Sequence, residues 1–236
     1  MMRCCFITLG CRVNQYESDA MAELLTQAGF EITENPSEAD VCIVNTCTVT
    51  NIADRKSRQM LSKAHKLNPN AKLIAAGCFA QRSPEAAAKL EGVYAVLGSA
   101  DKNRVVELVK SIAEGRENES KSEKCNCGEK ELCDCCGGMK KFEQPENSEC
   151  SGNAAGGTKI LVRDVMHEHE FEEMSAVHEG RTRAYLKIQD GCNMFCTYCA
   201  IPYARGGLRS RSIESVRAEA EKLNNEGFSE VVLTGI

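Results

Sequence analysis

The chain has 236 residues, 42% hydrophobic and 27% charged, with a formal net charge of -5 and 15 cysteines. This is the composition of globular material sufficient for one large or two smaller domains, and no run is long and apolar enough to span a membrane as a helix. An acidic balance excludes indiscriminate nucleic-acid binding, which needs a basic face, so any nucleic-acid partner must be gripped locally.

The amino-terminal run CCFITLGC passes directly into RVNQYES without a small-residue cleavage site. It reads as a buried strand and not as a signal peptide. Abundant cysteine without an export signal points to a reducing, cytoplasmic setting, where clustered thiols bind metal more often than they pair.

From residue 1 to about 115, short apolar runs alternate with helical stretches. CCFITLG precedes NQYESDAMAELLTQAG, VCIVNT precedes ADRKSRQMLSKAHKL, KLIAAG precedes SPEAAAKL, and YAVLGS precedes NRVVELVKSIAEG. Continuous apolar strands alternating with helices predict a parallel sheet covered on both faces, an α/β domain. Ser83-Pro84-Glu85 marks one helix start, Gly29 and Gly115 mark two helix ends, and Phe30 to Ile32 offers a short extra strand.

Cys11, Cys47 and Cys78 each directly follow a predicted strand, as Leu-Gly-Cys, Asn-Thr-Cys and Ala-Gly-Cys. In open parallel sheets the strand carboxyl ends share the ligand-binding edge, so three thiols distant in sequence can meet there. Cys4, Cys5 and Cys42 lie inside apolar runs and read as small buried hydrophobes.

Residues 116–157 are polar and Gly-rich and carry Cys125, Cys127, Cys133, Cys135, Cys136 and Cys150 with almost nothing to bury. The composition predicts a disordered insertion; the alternative is folding around a thiophilic ion, although its C-x-C and C-C pairs are not the usual zinc spacing. Residues 158–180 read as a linker, in which His167, His169 and His178 alternate with glutamates as an exposed surface would.

The most specific pattern is Cys192-x-x-x-Cys196-x-x-Cys199 in DGCNMFCTYCAIPYARG, after the strand-like AYLKI. Three thiolates hold three irons of a four-iron cluster and leave the fourth open, whereas an electron-transfer cluster normally has four cysteine ligands. An open coordination position is where a substrate binds. A zinc knuckle would need a fourth Cys or His nearby. Beyond the loop, Arg205, Arg209 and Arg211 suit either phosphate or carboxylate contacts or a solvated loop face. SIESVRAEAEKLNNEG then reads as a helix and EVVLTGI as a strand.

With Tyr198 just before its last cysteine, the loop resembles the signature of the radical S-adenosylmethionine (SAM) enzymes. LGCRVNQYES, VCIVNTCTVTNIADRKSRQ, AAGCFAQ and RTRAYLKIQDGCNMFCTYCAIPYARG together resemble the radical-SAM methylthiotransferases. The wording is closer to the branch directed at tRNA threonylcarbamoyladenosine than to the isopentenyladenosine-directed or ribosomal-protein-directed branches.

The resemblance implies residues 1–115 as the amino-terminal methylthiotransferase domain and residues 181–236 as the start of a radical-SAM βα barrel, read as the front part of a longer enzyme. It implies SAM and a [4Fe–4S] cluster on Cys192, Cys196 and Cys199, whose radical abstracts hydrogen from adenine carbon 2. It implies an auxiliary [4Fe–4S] cluster on Cys11, Cys47 and Cys78 that carries sulfur. Tyr198 becomes a SAM contact, against its alternative as a core aromatic, and Arg205 a contact to SAM or RNA. The implied partners are a tRNA anticodon loop, whose single strand can splay a base into a pocket, and an electron donor such as flavodoxin or ferredoxin. A non-catalytic iron–sulfur redox protein using the same cysteines is the rival reading.

Overall fold

The computed structural model describes residues 1–115, 158–176 and 182–236. The segment 116–157 with its cysteines, expected to be a disordered insertion or else an ion-binding one, and His178 lie outside the described residues.

A parallel sheet forms from β1 (Arg3–Thr8), β2 (Glu31–Ile32), β3 (Val41–Thr46), β4 (Lys72–Gly77), β5 (Val93–Leu97) and β6 (Lys159–Leu161), in the order β2-β1-β3-β4-β5-β6. Every residue of β3 is buried, and β4 is buried after its first residue. This is why these runs are apolar without alternation: a central strand of a parallel sheet is covered on both faces. Cys5 and Cys42 stand in register inside the sheet, and burial drives the Cys4 thiol up to about 12. These thiols are packing, as their place within apolar runs implied. The sixth strand, β6, opens the segment expected to be a linker and closes one side of the sheet against β5.

The connecting helices are α1 (Arg12–Gln27), α2 (Asn51–Leu67), α3 (Cys78–Arg82), α4 (Pro84–Ala88) and α5 (Val105–Ala113). The Thr50 hydroxyl caps α2 by accepting from the Ala53 amide at 3.1 Å, and Ser57, Leu61 and Ala64 form its buried stripe. Their spacing of four and three puts them on one helix face. In α1 the buried set is broader and includes Asn14, Tyr16, Glu17 and Ser18. The cause is that α1 packs against β1 and also against a second sheet.

That second sheet consists of β7 (Ala184–Asp190), β8 (Arg209–Ser210) and β9 (Val231–Gly235), in the order β8-β7-β9. The β7–β9 pair is parallel and connected through α6 (Ile201–Arg205) and α7 (Ile213–Asn225), while β8 runs antiparallel to β7. Met1–Lys110 and Thr158–Ile236 form one compact unit.

Candidate functional site

Strand order decides what the first three cysteines can do. β1, β3 and β4 are consecutive neighbours, so their carboxyl ends lie side by side at the ordinary interstrand spacing of about 4.8 Å. Thr46 is paired with Gly77, which makes Cys47 and Cys78 the residues immediately after two adjacent strands. Gly10 is pressed against the same edge: a Cβ built on it would lie 2.8 Å from Cys47 Cβ and 2.9 Å from its Sγ.

Polar side chains hold this edge in shape. The Ser57 hydroxyl accepts from the Cys47 amide at 3.0 Å and donates to the Cys47 carbonyl at 2.7 Å. Thr46 Oγ1 donates to the Ala76 carbonyl and accepts from the Ala80 amide, fixing the start of α3. Asn14 connects the loops, because Nδ2 donates to the Leu9 and Thr46 carbonyls at 2.8 and 2.9 Å while Oδ1 faces Cys11 Sγ at 3.8 Å. A cavity of about 300 Å³ opens beside Cys47, lined by Leu9, Gly10, Thr50, Ile52, Ala53 and Lys56.

Cys192, Cys196 and Cys199 lie on the loop between β7 and α6. Its entry is fixed by Asp190, whose Oδ1 accepts from the Gly191 amide at 2.9 Å, and by the Cys192 amide, which donates to the Gly206 carbonyl at 3.1 Å. Gly191 has φ +76°, and a Cβ there would run into the Gly207 carbonyl. Asn193 Oδ1 accepts from the Leu208 amide at 2.8 Å, and the Cys199 amide donates to the Cys196 carbonyl at 2.9 Å. Phe195 takes φ +45°, a conformation that costs a non-glycine residue roughly 1–2 kcal/mol. Its ring meets Tyr203 edge-on with centroids 6.5 Å apart.

Tyr198 is 89% exposed, which excludes the core-aromatic alternative. Among the described residues, no three His, Cys, Asp or Glu side chains are gathered as a metal-binding group. The fit to iron–sulfur clusters rests on the donors and their backbone placement: three soft thiols at one sheet edge, and three on one glycine-flanked loop.

The arginines after the loop differ from both sequence expectations. Arg205 is only 1% exposed, so it is neither a solvated loop residue nor a free contact to RNA or SAM. Its guanidinium meets Glu17 Oε1 at 2.8 Å, Asp190 Oδ1 at 3.0 Å and Asn14 Oδ1 at 2.6 Å. Arg209 is buried and donates to the Arg205 carbonyl at 2.7 Å. Arg211 pairs with Glu219 and, at 2.8 Å, with Glu173. Burying a guanidinium is tolerated only with partners of this kind. His167 and His169 are exposed, His167 lying 3.8 Å from Asp164, as an outward linker would place them.

The buried charge cluster itself was not apparent in the sequence. Lys187 Nζ reaches Glu17 and Asp190 at 2.7 Å each, and Lys102 Nζ reaches Glu17 at 3.3 Å and also donates to the Ser99 carbonyl. Burial opposes ionisation of Glu17, but Arg205, Lys102 and Lys187 outweigh it and hold the carboxyl down at about 2. Asp190 is pulled down against its own burial by Arg205 and Lys187. The available signal was Asn14 and Glu17 on the same helical face as Met21, polar residues in a core stripe.

Residues 3–98 match the uncharacterized protein family UPF0004, and residues 186–236 match the radical SAM superfamily. The threonylcarbamoyladenosine tRNA methylthiotransferase MtaB of Bacillus subtilis is 38% identical over 98% of this chain and 43% of its own length. The Aquifex aeolicus MtaB is 35% identical over 99% of this chain and 48% of its own length. Over nearly its whole length the chain is thus similar to radical SAM methylthiotransferases. The ribosomal protein uS12 methylthiotransferase RimO of Chloroflexus aurantiacus is also similar, 31% identical over 96% of this chain and 44% of its own length.

The chain therefore spans about half the length of the curated methylthiotransferases it matches. A solved radical SAM methyltransferase, TsrM from Kitasatospora setae, superposes with a TM-score of 0.58 at 16% identity, covering 100% of this chain and 48% of TsrM. This likeness establishes the shared α/β architecture.

Proposed function

We propose that this chain is a methylthiotransferase that carries two iron–sulfur sites, Cys192, Cys196 and Cys199 binding the cluster that works with SAM, and Cys11, Cys47 and Cys78 binding an auxiliary cluster. The observation that carries this reading is the strand order, which makes the ends of β1, β3 and β4 neighbours. α6, which follows the second cysteine loop, packs on α3, which begins with Cys78. When bound, the open-iron cluster supplies an electron for reductive cleavage of SAM, the source of a radical able to abstract hydrogen from an aromatic carbon that no acid–base side chain could deprotonate.

The chain's own groups position and shield. Asp190, Gly191 and Asn193 shape the Cys192 loop, and Tyr198 stands exposed where it can contact bound SAM. Ser57, Thr46 and Asn14 fix the three strand-end loops. The substrate is N6-threonylcarbamoyladenosine beside the tRNA anticodon, modified at carbon 2 of its base, and an electron-donor protein such as flavodoxin or ferredoxin supplies the reductant. The 38% and 35% identities to proteins named for that nucleoside support this substrate. A ribosomal-protein substrate is the second reading, favoured by the 31% identity to RimO.

Nucleoside analysis of tRNA from cells lacking the gene separates the two. Loss of the 2-methylthio form of threonylcarbamoyladenosine is the expected result. An unchanged tRNA profile with loss of methylthiolation on the ribosomal protein would overturn the tRNA reading.

A further inference from the structure

We propose that the buried cluster around Arg205 holds a fixed net positive charge against the Cys11, Cys47 and Cys78 edge and thereby raises the reduction potential of the iron–sulfur cluster bound there. This inference rests on the proposed ligand role of those three cysteines.

Asn14 joins the two parts. Its Oδ1 accepts from Arg205 Nη2 at 2.6 Å and faces Cys11 Sγ at 3.8 Å, while its Nδ2 donates to the carbonyl of Thr46, the residue before Cys47. Arg205 is thus one side chain removed from Cys11 and from the residue before Cys47, and its helix α6 packs on α3, which begins with Cys78.

The charge count is unbalanced. Lys102, Lys187 and Arg205 meet only two carboxylates, Glu17 and Asp190, at 3.3 Å or less. Widening the circle to 3.9 Å adds Arg209 and Glu172 and leaves the excess at one positive charge. All five of the inner side chains are at least nine-tenths buried. A buried excess charge is poorly screened, so its field reaches the neighbouring sheet edge. Arg205 Nε is also buried without an acceptor among the described residues.

Reduction adds an electron to a cluster, so a nearby positive charge favours the reduced form. Net charge and hydrogen bonding are among the factors that set iron–sulfur potentials. Three positioned cations offset thiolate charge here without ligating metal. Because Arg205 is the last residue of α6, directly after the radical-SAM loop, the same helix that leaves one cysteine site delivers charge to the other.

The test is a redox titration, followed by electron paramagnetic resonance, of the reconstituted chain in a Cys192→Ala, Cys196→Ala, Cys199→Ala background that retains only the first three cysteines as ligands. Lys102→Met and Arg205→Gln are expected to make the midpoint more negative, changing the oxidised-to-reduced ratio at the parent midpoint by about tenfold, or ~59 mV for one electron. Arg205→Lys should keep the parent value, and Glu17→Gln should move it the opposite way. Lys102→Met leaves two cations facing two carboxylates, so it stays informative if Arg205→Gln fails to fold. An unchanged midpoint, or shifts in one direction whatever the sign of the charge removed, would overturn the inference while leaving the cysteine assignment standing. A background variant that takes up no iron and sulfide would overturn both.

Discussion

Glu17 has an unusual burden, since it is wholly buried and faces three cations. Truncating such a residue leaves uncompensated buried charge, so Glu17→Ala should cost about 3–5 kcal/mol of folding stability, measurable by denaturant titration. Its acid response has a definite sign. The folded carboxyl is held at about 2 by Arg205, Lys102 and Lys187 against its burial, below the ordinary 4.5. Its contribution is complete above about pH 4.5, where both folded and unfolded chains carry the charge. As the pH falls from about 4.5 towards 2, the unfolded chain takes up a proton that the folded chain refuses, and stability declines. Asp190, pulled down by the same cations, adds to the slope. Urea titrations at about pH 6 and pH 3 should show the loss, and Glu17→Gln should shallow it. An acid slope indifferent to Glu17→Gln would assign it elsewhere.

At the scale of elements, the strand ends were the legible part. VCIVNT and KLIAAG show no polar–apolar alternation because both faces of β3 and β4 are covered, and each is followed by a cysteine one residue past the last ladder pair. Strand order was not legible, since apolar runs do not say which neighbours they choose. The arginines after the loop were also opaque: Arg205 finds its carboxylate in Glu17, 188 positions away in sequence, and such a partner leaves no local pattern. β6 escaped notice because its three residues, half-exposed on an edge, carry too little apolar signal. The loops themselves are testable through two glycines. Gly10 and Gly29 both have positive φ, but a Cβ on Gly10 collides with Cys47, whereas one on Gly29 meets nothing within 4 Å. Gly29→Ala should therefore cost only backbone strain, about 1–2 kcal/mol, with iron uptake unchanged. Gly10→Ala adds an overpacking cost of roughly 1–3 kcal/mol and displaces Cys47, so its iron content after reconstitution should fall as well. Equal iron content in the two variants would remove Cys47 from the ligand set.

On the scale of the whole molecule, the two sheets share one helix. α1 presents Tyr16 as well as Glu17 to the second sheet's side, and the Tyr16 hydroxyl lies 2.5 Å from the Met174 carbonyl and 3.0 Å from Glu219 of α7, 203 positions away. Burial, reinforced by Glu219, pushes the Tyr16 hydroxyl well above its usual range, so it stays a neutral donor at any physiological pH. With the ion pairs from Glu17 to Lys187 and Arg205, this makes α1 a shared wall that cannot leave one sheet without exposing buried charge from the other. The described chain should accordingly open as one cooperative unit. Native-state hydrogen exchange of the β3 and β7 amides should report the same opening free energy. Tyr16→Phe, which strips a donor from two buried acceptors, should lower both by an equal amount of about 1–3 kcal/mol. A loss of protection confined to β7 would mean that the cysteine loops sit on independently unfolding parts, and that the Arg205 bridge between them is too weak to make them one.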